Sequence, residues 1–324
     1  MLQICTRKAK ISSRVSLAYR IRHACLHTSS LRLRSAPDPR LREENLIEDA
    51  FATIRDTYQA PRNPIILAHG LLGFDELHLL GEQLPGIQYW RGITEALAAR
   101  DIEVITATVP PSGSIEARAQ KLAGCIRRKA RGKSVNIIGH SMGGLDARFM
   151  ISRLRLPDVR VLSLTTIASP HRGSAFADHL LKQIGPTQLP RLYKVLEYFG
   201  IESGAFSQLT REYMLNEFNP KTPDLDTVRC YSYGATVEPT LLSMFRQSHR
   251  VIQDIEGPND GLVSVESSKW GVYKGTLLDV SHLDLINWTN RLRWMIWHLT
   301  GNKRNFNAIA FYLDIADMLA KEGL

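Results

Sequence analysis

The chain has 324 residues, of which 44% are hydrophobic and 23% charged, the balance of a globular protein. Collagen, a disordered chain and a disulfide scaffold are excluded by that composition. The formal charge is +9, from 41 basic and 32 acidic residues, but it is not evenly spread.

Residues 1–36 hold eight of the basic side chains (Arg7, Lys8, Lys10, Arg14, Arg20, Arg22, Arg32 and Arg34), and no acid precedes Asp38. Taking these eight from 41 leaves 33 basic against 32 acidic residues, a balance of +1. The high isoelectric point therefore belongs to the leader and gives no ground for a nucleic-acid partner. Arg and Ser are frequent there, and Ile11, Val15, Leu17 and Ile21 recur at helical spacing. This is the composition of a mitochondrial transit peptide, and arginines interrupt every candidate secretory core. Cys125 and Cys230 lie far apart with no metal-ligand spacing, as expected in a reducing compartment. No stretch reaches the roughly 18 apolar residues of a membrane-spanning helix.

Residues 37–62 are polar and Pro-bearing, a lead-in segment expected to carry one helix over Glu43–Tyr58. From residue 63 to 324, short apolar runs alternate with helical patterns. Ile65–Ala68, Val104–Ala107, Val135–Ile138, Val161–Ala168 and Val228–Tyr233 are β-branched runs that read as buried strands. Trp90–Ala99, Ile115–Arg131 and Met142–Leu154 carry apolar residues three and four apart and read as helices. That alternation predicts a mostly parallel sheet covered on both faces. Residues 173–223 break the rhythm, with helical pieces near Phe176–Ile184, Leu192–Phe199 and Phe206–Phe218. An insertion this long is expected to be a helical lid. Near the C-terminus, Phe306–Leu319 is an amphipathic helix, read as docked on the sheet rather than lying in a membrane, because it lacks a basic polar face.

Val135-Asn136-Ile137-Ile138-Gly139-His140-Ser141-Met142-Gly143 reads as strand, G-x-S-x-G, then helix. A nucleophile elbow needs that order, because the sharp turn lifts the serine above the sheet. A serine hydroxyl needs a histidine base, and the base needs a carboxylate to set its tautomer. On such a scaffold the acid and histidine follow the serine in that order. His282, in a loop past Leu277-Leu278, is favoured over His171, His179, His249 and His298. Asp260, in the turn Gly257-Pro258-Asn259-Asp260-Gly261, is favoured over Asp254, Asp279 and Asp284. The developing oxyanion needs two backbone amides. Met142, after the nucleophile, supplies one, and Leu71, in the strand-end run His69-Gly70-Leu71-Leu72-Gly73, is the expected second donor.

Five blocks together resemble the lipase branch of the α/β-hydrolases, specifically the Pseudomonas/Burkholderia type and its fungal mitochondrial relatives. They are Leu67-Ala68-His69-Gly70-Leu71-Leu72-Gly73-Phe74-Asp75, Gly139-His140-Ser141-Met142-Gly143-Gly144-Leu145-Asp146-Ala147-Arg148, Ile167-Ala168-Ser169-Pro170-His171-Arg172-Gly173-Ser174, Asn259-Asp260-Gly261-Leu262-Val263 and His282-Leu283-Asp284. The resemblance implies an α/β-hydrolase fold, the triad Ser141, Asp260 and His282, oxyanion donors Leu71 and Met142, and a lid over residues 173–223. It also implies a triacylglycerol lipase. The apolar faces of the lid helices (Leu180, Leu181, Ile184, Leu192, Val195, Leu196 and Phe199) favour a lipid ester met at a membrane or lipid-droplet surface, and no cofactor is expected. The bacterial enzymes carry calcium beside the histidine loop. Here Asp284 matches one ligand, but the residue four on is Trp288, which cannot ligate a hard cation, so no metal is expected. A phospholipase or a lipid acyltransferase fits the same elbow, and so does a catalytically dead fold kept for binding. Acyl-chain length and oligomeric state are not written in these motifs.

Overall fold

The computed structural model describes residues 38–41, 45–71, 89–111, 113–182, 204–240, 243–288 and 306–324. Arg40–Leu324 forms one unit, and of the preceding Met1–Pro39 only Asp38 and Pro39 are described. Seven strands form a single sheet: β1 (Leu46–Ile47), β2 (Ile65–Ala68), β3 (Val104–Ala107), β4 (Ser134–His140), β5 (Arg160–Ile167), β6 (Arg229–Thr236) and β7 (Val272–Leu278). Their order is β1-β7-β6-β5-β4-β2-β3, and every pairing between named strands is parallel. Parallel sheets need apolar cover on both faces, and β2 shows how the sequence supplies it. Ile65 and Leu67 join one core, with Trp90, Ile93, Tyr233 and Phe311, while Ile66 and Ala68 join the other, with Leu122, Ile126 and Ile137. Alternate residues of one strand thus serve opposite layers.

Helices α1 (Ile93–Ala98), α2 (Ile115–Lys129) and α3 (Met142–Phe149) follow the expected helical patterns. Beyond α3 the chain runs straight into a π-turn, Met150–Leu154. Ser114 caps α2 by accepting a hydrogen bond from the Ala117 amide. The C-terminal helix, Ala308–Lys321, buries Phe311, Tyr312, Leu313, Ile315 and Leu319 against the sheet.

The lead-in segment departs from expectation. Instead of a helix over Glu43–Tyr58, its described residues form β1 and a series of turns. Leu46 and Ile47 pair with Thr276 and Leu277 at the β7 edge, and the Thr276 amide donates to Asn45 O at 2.8 Å. The edge of β7 offers this short segment backbone partners, and tertiary pairing overrides local helix propensity. Phe51 then enters the core, 5.1 Å from the Phe311 ring. The Gln59 amide donates to Asp317 Oδ1 at 2.8 Å, which seats the segment on the C-terminal helix.

The insertion after β5 is helical where it is described. A helix spans 175–182, another Gly204–Gln208, and a third stretch runs Arg211–Tyr213 through a π-turn, Met214–Phe218, into Asn219–Lys221. The expected piece Leu192–Phe199 lies outside the described residues. The two stems are fastened to each other. The Ser174 amide donates to Leu209 O at 2.9 Å, and Arg211 Nε meets Asp178 Oδ2 at 2.6 Å. Met214 and Phe218 pack against Ile115, Met142 and Leu145, so the returning stem sits on α2 and α3.

Candidate active site

Three loops converge at the C-terminal edge of the sheet, where ligands bind in open α/β folds. The first is the turn from β4 into α3. Ser141 sits there with φ 54° and ψ −131°, a strained conformation for a residue with a Cβ. Its amide donates to Ile167 O at 2.9 Å, which pins the turn to β5. The turn closes only because its neighbours are glycines. A Cβ on Gly143 would lie 2.3 Å from Ala68 O, and one on Gly139 2.7 Å from Gly144 Cα.

The second loop follows β6. Asp260 is fully buried, and its Oδ1 accepts from the Leu262 and Val263 amides at 2.9 and 2.8 Å. The third follows β7 and carries His282. Its Nδ1 donates to Asp260 Oδ2 at 2.7 Å, and its backbone amide donates to Asp260 O at 2.9 Å. The His282 ring lies 4.6 Å from the ring of His140, the residue before Ser141. The structure therefore brings Asp260 and His282 together beside the elbow.

The rival residues stand elsewhere. Asp254 and Asp279 are exposed. Asp284 Oδ2 accepts from the Ser281 hydroxyl and amide at 2.6 and 3.1 Å. His171 is buried between Arg148 Nη1 at 3.2 Å and Thr166 Oγ1 at 3.0 Å. Burial, aided by the charges of Arg148 and Arg172, holds its imidazole well below the ordinary range. His298 lies outside the described residues.

The residues of the loop after β2 are held as firmly as the elbow. Neither the Leu71 nor the Met142 amide donates a backbone hydrogen bond among the described residues. The carbonyl of Gly70 takes Arg118 Nη2 at 3.3 Å and His69 Nδ1 at 3.0 Å. His69 Nε2 accepts from the Val109 amide at 3.3 Å, so its proton resides on Nδ1. In a trans peptide the N–H points opposite to the C=O, so the Leu71 amide is turned away from Arg118. Arg118 is itself fully buried. Its Nε donates to Asp146 Oδ2 at 2.9 Å, and its Nη2 donates to His69 O at 2.8 Å. One buried ion pair thus ties the elbow helix to the loop after β2.

Arg118, Asp146 and His69 were not singled out from the sequence as site residues. Arg118 did leave a trace, a charge inside the apolar stripe Ile115, Ala119, Leu122 and Ile126 of α2. Its partner, 28 residues on, left none. Trp288 stands four residues beyond Asp284, where a hard cation would need an oxygen. The Trp288 side chain packs on the core, and Asp284 Oδ2 is committed to Ser281. Among the described residues no group of three His, Cys, Asp or Glu could hold a metal.

The chain is 36% identical to triacylglycerol lipase 2 of Saccharomyces cerevisiae over 316 residues, covering 83% of this chain and 95% of the relative. It belongs to the α/β-hydrolase lipase family. Triacylglycerol lipases of Vibrio cholerae (30% identical, 74% of this chain and 84% of the relative) and Pseudomonas fragi (26%, 81% and 98%) also match this lipase. The family description of the PGAP1-like α/β domain matches residues 111–186. Among solved structures, Staphylococcus hyicus lipase superposes with a TM-score of 0.60 at 20% identity, covering 82% of this chain and 98% of that one. A metagenomic carboxyl esterase superposes with a TM-score of 0.63 at 16% identity, covering 83% and 79%. At such identities the likeness is one of fold. The lipase is a carboxylic ester hydrolase.

Proposed function

We propose that this lipase hydrolyses acylglycerols, triacylglycerol among them, through an acyl-enzyme on Ser141. The observation that carries this reading is the buried His282 Nδ1–Asp260 Oδ2 hydrogen bond of 2.7 Å, set beside an elbow that holds Ser141 in a strained turn. With its Nδ1 proton engaged by Asp260, His282 presents an unprotonated Nε2 as base. Ser141 Oγ attacks the ester carbonyl as its proton passes to Nε2. The negative oxygen is received by the Leu71 and Met142 amides, aided by the positive end of α3. The intermediate collapses, the alcohol leaves with the proton from Nε2, and an acyl-serine remains. Water then repeats the sequence, releasing the fatty acid and restoring Ser141.

Two further features of the reading come from the sequence. The apolar residues spaced along the insertion support an encounter with substrate at a membrane or lipid-droplet surface. The acid-free, Arg-rich leader supports import into mitochondria. A single experiment tests nucleophile and compartment. A fluorophosphonate probe applied to fractionated cells should label the protein in the mitochondrial fraction, at Ser141, on a chain shortened at its N-terminus. Ser141→Ala should fold, lose the label and lose hydrolysis of emulsified triacylglycerol. Retained activity in that variant refutes the catalytic assignment, and label confined to another fraction refutes the compartment.

A further inference from the structure

We infer that Tyr89 is a positioning residue for hydrolysis, its phenol joining the Gly70 amide to the His140 imidazole and so clamping the oxyanion loop against the nucleophile. The inference rests on the reading of Ser141 and Leu71 given above. Tyr89 lies 19 residues beyond Gly70 in sequence, yet its hydroxyl accepts from the Gly70 amide at 2.9 Å. The same hydroxyl lies 2.6 Å from His140 Nδ1. With the oxygen already accepting from Gly70, its own hydrogen is free to go to Nδ1, which places the His140 proton on Nε2.

Both ends of Gly70 are then fixed, the N–H by Tyr89 and the C=O by His69 and Arg118. The fit is tight. A Cβ at Gly70 would lie 2.7 Å from Ser141 Cβ, 3.0 Å from the Tyr89 hydroxyl and 3.1 Å from His140 O. The loop, the nucleophile and the phenol meet at that one point. The Tyr89 ring is seated between those of His69 and His140, with centroids 5.5 and 5.8 Å away, and edge-on to Trp90 at 4.9 Å. Among the described residues His140 Nε2 is buried with no hydrogen-bond partner, and the His282 ring lies 4.6 Å from its own. Burial holds the phenol in its protonated form. Burial, with the adjacent His282, holds His140 neutral. A neutral His140 beside His282 spares the base a like charge when it takes the serine proton.

Tyr89→Phe keeps the ring and removes only the hydroxyl, leaving the Gly70 amide without its partner. Losing an oxyanion donor outright costs about 10²–10³ in kcat, and a donor left in place on a loosened loop should cost about tenfold. On a soluble short-chain ester the full-length Y89F protein should therefore lose about tenfold in kcat, with KM nearly unchanged. Its rate of phosphonylation by a fluorophosphonate should fall in parallel, because that reaction also develops charge on the oxygen facing Leu71. A folded Y89F with unchanged kcat, or with its loss confined to KM, overturns the inference. If Y89F does not fold, nitrogen-15 NMR of the parent protein decides. The inference requires a neutral His140 with its proton on Nε2, and a proton on Nδ1 overturns it. Hydrolysis surviving in Ser141→Ala is a separate failure, that of the catalytic reading itself.

Discussion

The two oxygens of Asp260 are used differently. Oδ1 accepts from the Leu262 and Val263 amides, whereas Oδ2 faces His282 Nδ1 at 2.7 Å. In Asp260→Asn the amide oxygen can keep the Oδ1 role and set an NH2 group against Nδ1. The imidazole must then carry its proton on Nε2, the atom that receives the serine proton in the proposed mechanism. We expect Asp260→Asn to lower kcat by about 10⁴-fold while remaining folded. Ester hydrolysis alongside thermal unfolding checks this, and a loss smaller than about tenfold means that His282 takes its tautomer from another group. The sequence brought this residue to the front through its Gly- and Pro-rich turn, but four acids lay within reach of His282. Burial and the 2.7 Å contact separate them, and both depend on how the loops after β6 and β7 meet.

Between elements, the Arg118–Asp146 pair joins α2 to α3. Burial pushes the Asp146 carboxyl up to about 6, against the pull of the Arg118 charge. Such a pair costs much to break and little to replace, because a lone buried charge has no solvent and no partner. Arg118→Met should therefore destabilise the fold by roughly 3–5 kcal/mol, and adding Asp146→Leu should restore part of that loss. Urea unfolding of the single and double variants tests it. A double variant no more stable than the single would show that Asp146 is not the group left stranded. The amphipathic stripe of α2 was visible in the sequence as spacing. The expected helix at Glu43–Tyr58 was not realised because Leu46 and Ile47 found an open strand edge more than 200 residues away. Local propensity carries no information about that edge.

Across the whole molecule, stability should respond to acid through histidines folded in as neutral groups. His140 and His171 are both held well below the ordinary imidazole value of 6.5, chiefly by burial. As pH falls below 6.5, the unfolded chain takes up protons that the folded chain refuses, so stability is lost on acidification. Each such histidine contributes a slope of about 1.4 kcal/mol per pH unit. Asp146, pushed up to about 6, works in the opposite sense because its folded carboxyl binds a proton first. Comparing His171→Gln with the parent isolates one histidine. Between about pH 5 and 6.5, the slope of unfolding free energy with pH should flatten by about 1.4 kcal/mol per unit. An unchanged slope would show that His171 titrates within the fold.

What the sequence alone determined is whatever contiguous residues can encode. The glycines at 139 and 143 specify a turn too tight for side chains, and β-branched runs specify buried strands. Tertiary structure decided everything that required two distant segments to meet. It set Asp260, of four acids, against His282, brought Arg118 to Asp146, joined Tyr89 to Gly70 and drew Leu46 and Ile47 of the lead-in segment into a strand. Steric and turn preferences act over a few bonds and are written locally. Hydrogen bonds and ion pairs between remote segments form only once the sheet has set the distances.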